Sequence, residues 1–467
     1  TASRYGAPGA DIANFNFTDA TNGLTKARYD VLFLLGIDSE GQNDLTGAEL
    51  DAVQAFMQAG GGVFATGDHE TLGAALSGNI PRVRGMRKWK SADSPPHVSN
   101  TNRHSTNLSG PDETEEFEDQ SNTQPQRLYL NFRTQAGGTQ NIDRPAHPLM
   151  QMKAPRKVLE VFPDHPHEGE CRLPASLAGT FTVGGASAPE WPKDAAGADV
   201  WPEMVAYSVS HGDGFPTGPT GPKDALVPKM FGAIAAYDGH RANVGRVATD
   251  ATWHHFVNIN LDGSGSGLSG LQSPPGTDTD ALTRIRQYYV NLATWLMPKN
   301  VRRCLRYPFV LKELARFPLF EELDLPRPPE PGDPRLRAIG ETLLRSVGAH
   351  RPRWEAQALA DDMLEEALGD EMYAKLQAER WSGDGDGGGG ASLLANGDLA
   401  HAALGGMVAG IAAELAELKD VREIKPHASF VERSRREARE AVGALLGKRR
   451  DELRRIDELL GQLQAAR

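Results

Sequence analysis

The stretch Gly60-Gly61-Gly62-Val63-Phe64-Ala65-Thr66-Gly67-Asp68-His69-Glu70 constrains this chain more than any other. Three glycines close whatever precedes them, a short apolar run follows, and a further glycine sets Asp68 and His69 at a sharp turn. The pattern predicts a strand that turns into a helix over 71–76. Open α/β sheets place their chemistry at such a point, beyond the carboxyl end of a strand and beside a helix N-terminus.

The flanking sequence fits this reading. Tyr29-Asp30-Val31-Leu32-Phe33-Leu34-Leu35-Gly36-Ile37 is an apolar run of the kind found in strands buried on both faces. Over 45–59, Thr46 with Glu49 three residues on forms a capping box, and Leu50, Val53, Phe56 and Met57 give an apolar helical face. Strand, helix and strand joined by short glycine links predict a βαβ unit. Residues 77–148 break the rhythm with a polar, turn-rich insertion expected to lie over the sheet edge. Further strands are expected at 158–162, 205–209, 231–237 and 244–249, and an amphipathic helix at 280–296. The predicted fold is α/β, a doubly wound, mostly parallel flavodoxin-like sheet with a long loop insertion. A Pro-rich connector is expected at 298–335. An α-helical C-terminal region over 336–467 follows, with helices near 335–347, 353–378, 391–419 and 428–464 and a Gly-rich linker at 381–390.

Composition excludes several classes. The 467 residues carry a net charge of −12, which argues against general nucleic-acid binding. No stretch is long and apolar enough to predict a membrane span. Two cysteines, Cys171 and Cys304, supply neither a disulfide framework nor a cysteine-rich zinc site. A reducing, cytoplasmic location is therefore expected. A secreted or surface protein is the other reading, because the chain starts at Thr1 and a targeting segment could precede it.

The pattern through residue 297 resembles the class I glutamine amidotransferase-like fold, most closely its trehalose-utilisation (ThuA-like) branch. The resemblance rests on 29–34, on 56–67, on Gly245-Arg246-Val247 followed by Asp250 to His255, and on the helix ending at Trp295-Leu296. It does not cover the C-terminal third. In that fold the elbow carries a nucleophilic cysteine and a later strand delivers a histidine. Here the elbow holds Asp68 and His69, while His254 and His255 stand at the later position. Thiol-based glutamine hydrolysis is therefore not expected. The resemblance also implies a strand and helix ahead of residue 29, so either a segment is missing upstream or this variant begins differently.

In a doubly wound sheet, Asp68 and His69, then His165, His167 and Glu168, then Asp250, His254 and His255 would converge at one edge. Imidazoles and carboxylates without thiolates suit a divalent metal, zinc or manganese, with His69, His165, His167, His254 and His255 as candidate ligands. The metal would activate a water, and Asp68 or Glu168 would act as general base. A metal-free version pairs His69 or His254 with Asp68 or Asp250 as acid/base and orienting partner. Trp253 is a candidate for stacking on a sugar ring, and Arg82 and Arg87 for holding an anionic group. The bland readings are a core tryptophan, paired arginines and turn-capping histidines. The function expected is a hydrolase or lyase on a small polar substrate, sugar or amide, with no nucleotide cofactor. The alternative is a non-catalytic, regulatory amidotransferase-like domain. Its C-terminal helices would then dock a protein partner or form a homo-oligomer.

Overall fold

In a computed structural model the described residues are 1–5, 9–68, 71–93, 126–132, 146–153, 158–162, 169–195, 197–210, 229–251, 254–256, 261–263, 271–316, 329–369, 371–373, 376, 396–417 and 428–465. They divide into two compact units: the first runs to Arg302, and the second takes in the residues from Arg303 onward together with Lys153.

The first unit is built on a seven-stranded sheet. Its strands are β1 (Val31–Leu35), β2 (Gly62–Thr66), β3 (Gln126–Leu130), β4 (Val161–Phe162), β7 (Glu203–Ser210), β8 (Lys229–Tyr237) and β9 (Val247–Asp250), in the order β1-β2-β9-β8-β7-β3-β4. Strands β5 (Thr180–Val183) and β6 (Ala186–Pro189) form a separate hairpin. Between β1 and β2 runs helix α1 (Gly47–Gln58). Its N-terminus carries the capping box, with Glu49 N–H donating to Thr46 Oγ1 at 3.3 Å and Thr46 N–H donating to Glu49 Oε2 at 3.1 Å. Two short helices, α2 (Ala74–Ser77) and α3 (Val83–Met86), follow β2. The amphipathic helix α4 (Asp280–Leu296) buries Leu282, Ile285, Tyr288, Leu292 and Trp295.

The sheet is mixed, and this corrects the mostly parallel, doubly wound arrangement. Strand β2 is parallel to both β1 and β9, but β9–β8, β8–β7, β7–β3 and β3–β4 are all antiparallel. The reason lies in the links. A parallel return needs a crossover of a dozen or more residues, usually a helix. Only eight described residues outside any strand, 239–246, follow Asp238 before β9, and they hold a single 3-10 turn. The expected insertion at 77–148 also does more than lie over an edge, because β3 within it pairs with β7 and β4. Near the start of the chain, an isolated parallel bridge joins Ala2 and Ile12.

The second unit is helical. Where a connector was expected, α5 (Lys299–Arg316) forms with Pro308 inside it, and the boundary between the units falls within this helix. The later helices are α6 (Pro334–His350), α7 (Arg353–Leu368), α8 (Asn396–Glu417) and α9 (Ala428–Ala465). Helix α9 runs unbroken through Gly447. Helix α8 is buried over most of 399–413, with Asp398 and Glu414 towards its ends paired to Arg337 and Arg433. Leu399, Leu404, Met407, Val408 and Ile411 pack with Leu336, Ile339, Leu343, Met363 and Val442 into one core. Among its charges, Glu366 pairs with both Arg306 and Arg435, and Arg303 lies 2.9 Å from Glu365. The Gly-rich linker at 381–390 lies outside the described residues. No helix among the described residues is long and apolar enough to cross a membrane.

The capping box yields a prediction for the first unit. Thr46→Ala leaves orphan N–H groups at the start of α1 and is expected to lower stability by about 1 kcal/mol, with Thr46→Ser near wild type. Urea unfolding of the two variants measures the difference.

Candidate functional site

The central strands end in polar residues. Strand β2 delivers Thr66 and then Asp68, and its parallel neighbour β9 delivers Asp250, all of them buried. Asp250 is the centre of a small network. Its Oδ2 lies 2.9 Å from His255 Nε2 and accepts a hydrogen bond from the Tyr288 hydroxyl at 3.1 Å. An ionised carboxylate only accepts, so Nε2 is the donor in this contact. Among the described residues, neither Nδ1 nor the second carboxylate oxygen, Oδ1, has a hydrogen-bond partner. Burial, and then the Asp250 charge, push the Tyr288 hydroxyl well above its ordinary pKa, so it stays a donor. The imidazole is held flat by Phe162, stacked on it at 4.1 Å with 14° between the planes, and is flanked by Phe256 at 4.8 Å.

Arg87 ties the strand ends together. Its guanidinium, fully buried, donates from Nη2 to Asp68 O at 2.8 Å and to Ala251 O at 3.0 Å, and from Nε to Asp250 O at 3.2 Å. It also lies over the Trp89 ring, 4.5 Å from the centroid. Burial lowers its pKa, and the charges of Asp250 and Asp68 are among those that oppose the shift. Two glycines permit this crowding. A Cβ on Gly67 would come 2.4 Å from Leu72 O, and one on Gly169 would come 1.9 Å from Ala251 O and 2.2 Å from Arg87 Nη2. Gly169 thus lies at this same sheet edge. Cys171 sits behind β9, its Sγ 3.6 Å from Thr249 Oγ1, and burial pushes its thiol up to about 12. It is a protonated core residue at neutral pH.

The candidates from sequence are distributed as follows. Asp68, Asp250 and the backbone of 254–256 meet at the one edge, and His255 is the histidine engaged by Asp250. His69, His165, His167, Glu168 and Trp253, and the His254 side chain, lie outside the described residues. Arg82 stands apart from this edge in its bonding. It donates from Nε to Glu190 O at 2.8 Å and from Nη2 to Gln58 Oε1 at 2.5 Å, and burial lowers its pKa to about 10. Arg84 and Lys88 pair with Glu190 and Glu170, each at 2.6 Å. The basic cluster is thus turned inward onto protein groups. Among the described residues, no three His, Cys, Asp or Glu side chains are grouped to hold a metal ion. Tyr288 was missed by sequence reading. Its signal was a tyrosine one position off the apolar stripe of α4. Comparison of the chain with protein families, curated proteins and solved structures finds no match.

A second buried histidine contrasts with His255. His240 lies in the turn Gly239–Ala242 with neither ring nitrogen hydrogen-bonded. Burial, with Arg246 and Arg302 adding to it, holds its pKa well below the ordinary 6.5. The folded protein refuses a proton that the unfolded chain accepts below about pH 6.5, so acid favours unfolding. Stability should fall as pH drops below 6.5, at up to about 1.4 kcal/mol per pH unit from this group. His240→Phe is expected to flatten that part of the curve relative to wild type, as read by urea midpoints between pH 5 and 7.5.

Proposed function

We propose that this chain is a hydrolase- or lyase-type enzyme acting on a small polar substrate, an amide or a sugar, with His255 as the acid/base group. The observation that carries the reading is the buried Asp250–His255 contact of 2.9 Å at the carboxyl end of β9, with Nδ1 left as a hydrogen-bond acceptor. Asp250 fixes the tautomer and stabilises the imidazolium that forms when Nδ1 takes a proton. Tyr288 restrains the carboxylate, and Phe162 restrains the ring. Asp68 adds a second buried carboxylate at the neighbouring strand end. In the metal-free version His255 Nδ1 is itself the base; in the metal version it would be a ligand whose ring Asp250 orients.

Turnover of a panel of nitrophenyl glycosides and nitroanilide amides tests this reading. His255→Gln and Asp250→Asn should each lower kcat by roughly 10²–10⁴-fold while circular dichroism stays unchanged. Turnover should survive chelation by EDTA. Undiminished activity in His255→Gln would remove the acid/base assignment. Loss on EDTA with recovery on adding zinc or manganese would replace the metal-free version with the metal one.

A further inference from the structure

The face of the sheet that carries Asp250 holds more polar atoms than the reaction above uses. Strands β2 and β9 run parallel with Phe64 beside Ala248 and Ala65 beside Thr249, so Thr66 and Asp250 follow one step on. Alternation along each strand puts Phe64, Thr66, Ala248 and Asp250 on one face. Phe64 packs on Phe256 at 5.1 Å, and Phe256 in turn stacks on Tyr289 of α4 at 4.8 Å. Among the described residues, four buried atoms on this face and on the residues packed against it have no hydrogen-bond partner: Thr66 Oγ1, Asp250 Oδ1, His255 Nδ1 and the Tyr289 hydroxyl oxygen. Each such atom carries a desolvation penalty, so four in one shell are not explained by packing.

The chemistry of the four selects a ligand. Asp250 Oδ1 and His255 Nδ1 can only accept, and the two hydroxyls can accept as well. A ligand here must bring hydrogen-bond donors, which a carboxylate or a phosphate dianion lacks. The charge on this face is that of Asp250. Arg87 is spent on main-chain carbonyls and follows Met86, whose carbonyl accepts from Thr249 on the opposite face. The rings of Phe162, Phe256 and Tyr289 line the same shell, and aromatic faces attract cations. A protonated amine has three N–H donors and one positive charge.

We propose that Thr66, Asp250, His255 and Tyr289 form an ammonium subsite, so that the substrate carries a protonated primary amine. The proposal rests on the acid/base reading for the state of Asp250 and His255, and it adds Thr66 and Tyr289 as residues that determine specificity.

Three small probes separate the outcomes: propylammonium, glycerol and propionate, each titrated at millimolar concentration by thermal shift and calorimetry. Propylammonium alone should raise the melting temperature saturably, and Asp250→Asn should abolish the effect. Thr66→Val and Tyr289→Phe should each weaken binding roughly tenfold, the loss of one hydrogen bond to a charged group. In ligand-free protein the same two variants should melt at or above the wild-type temperature, because each removes an orphaned hydroxyl. A drop of several degrees instead would make the hydroxyls structural and overturn the subsite. So would binding of none of the probes, or propylammonium binding that is indifferent to Asp250→Asn. Glycerol binding that is lost in both Asp250→Asn and His255→Gln would overturn the amine while leaving the acid/base reading intact. Propylammonium binding as expected, with full turnover in His255→Gln, would leave the subsite and overturn the acid/base reading.

Discussion

The buried Arg87 guanidinium is the interaction on which the rest of the site depends. The carbonyls of Asp68, Asp250 and Ala251 lie at and just beyond the ends of β2 and β9, and each accepts from Arg87. Buried carbonyls left unpaired would destabilise the turn, at about 1–3 kcal/mol each. One planar donor fork satisfies all three, which a lysine ammonium could not do with the same geometry. Trp89 packs against its face, and Gly169 lies so close that a Cβ there would come 2.2 Å from Nη2. The two strand ends are thereby fixed relative to each other.

That rigidity decides what Asp250 can do. Its main chain is held from one face by Arg87, and its side chain is held on the other by Tyr288 and His255. The imidazole has one edge on the carboxylate and one face on Phe162, so the remaining polar atom, Nδ1, points in a direction set by the fold. The second, helical unit has its own core.

Much of the scaffold was legible in the sequence. The strand within 29–37, the capping box at Thr46 and Glu49 and the strand at 62–66 stand where the pattern put them, but β1 is an edge strand with Leu35 and Ile37 exposed and not a strand buried on both faces. Strand direction was not legible. Apolar runs at 205–209, 231–237 and 244–249 report burial on two faces, and they read alike whether the strands run parallel or antiparallel. The link 238–246, too short for a helical crossover, held the missing information. The elbow glycine and Asp250 were found because they follow strands. Of the two adjacent histidines that the sequence offered, His255 is the one engaged by Asp250, while the His254 side chain lies outside the described residues. Arg87 read as part of a surface-like basic cluster, because its role depends on carbonyls at 68, 250 and 251 that are distant in sequence. Tyr289 fitted the apolar stripe of α4, yet Tyr288 is the fully buried one.

The central claim is that Asp250 fixes the proton of His255 on Nε2 and leaves Nδ1 as the acceptor. Nitrogen-15 NMR of the His255 ring at neutral pH tests it most directly. The account predicts a protonated, pyrrole-type Nε2 whose proton is coupled to Asp250, and an unprotonated Nδ1, with the preference lost in Asp250→Asn. A proton found on Nδ1, or a ring spectrum unchanged by Asp250→Asn, would contradict it.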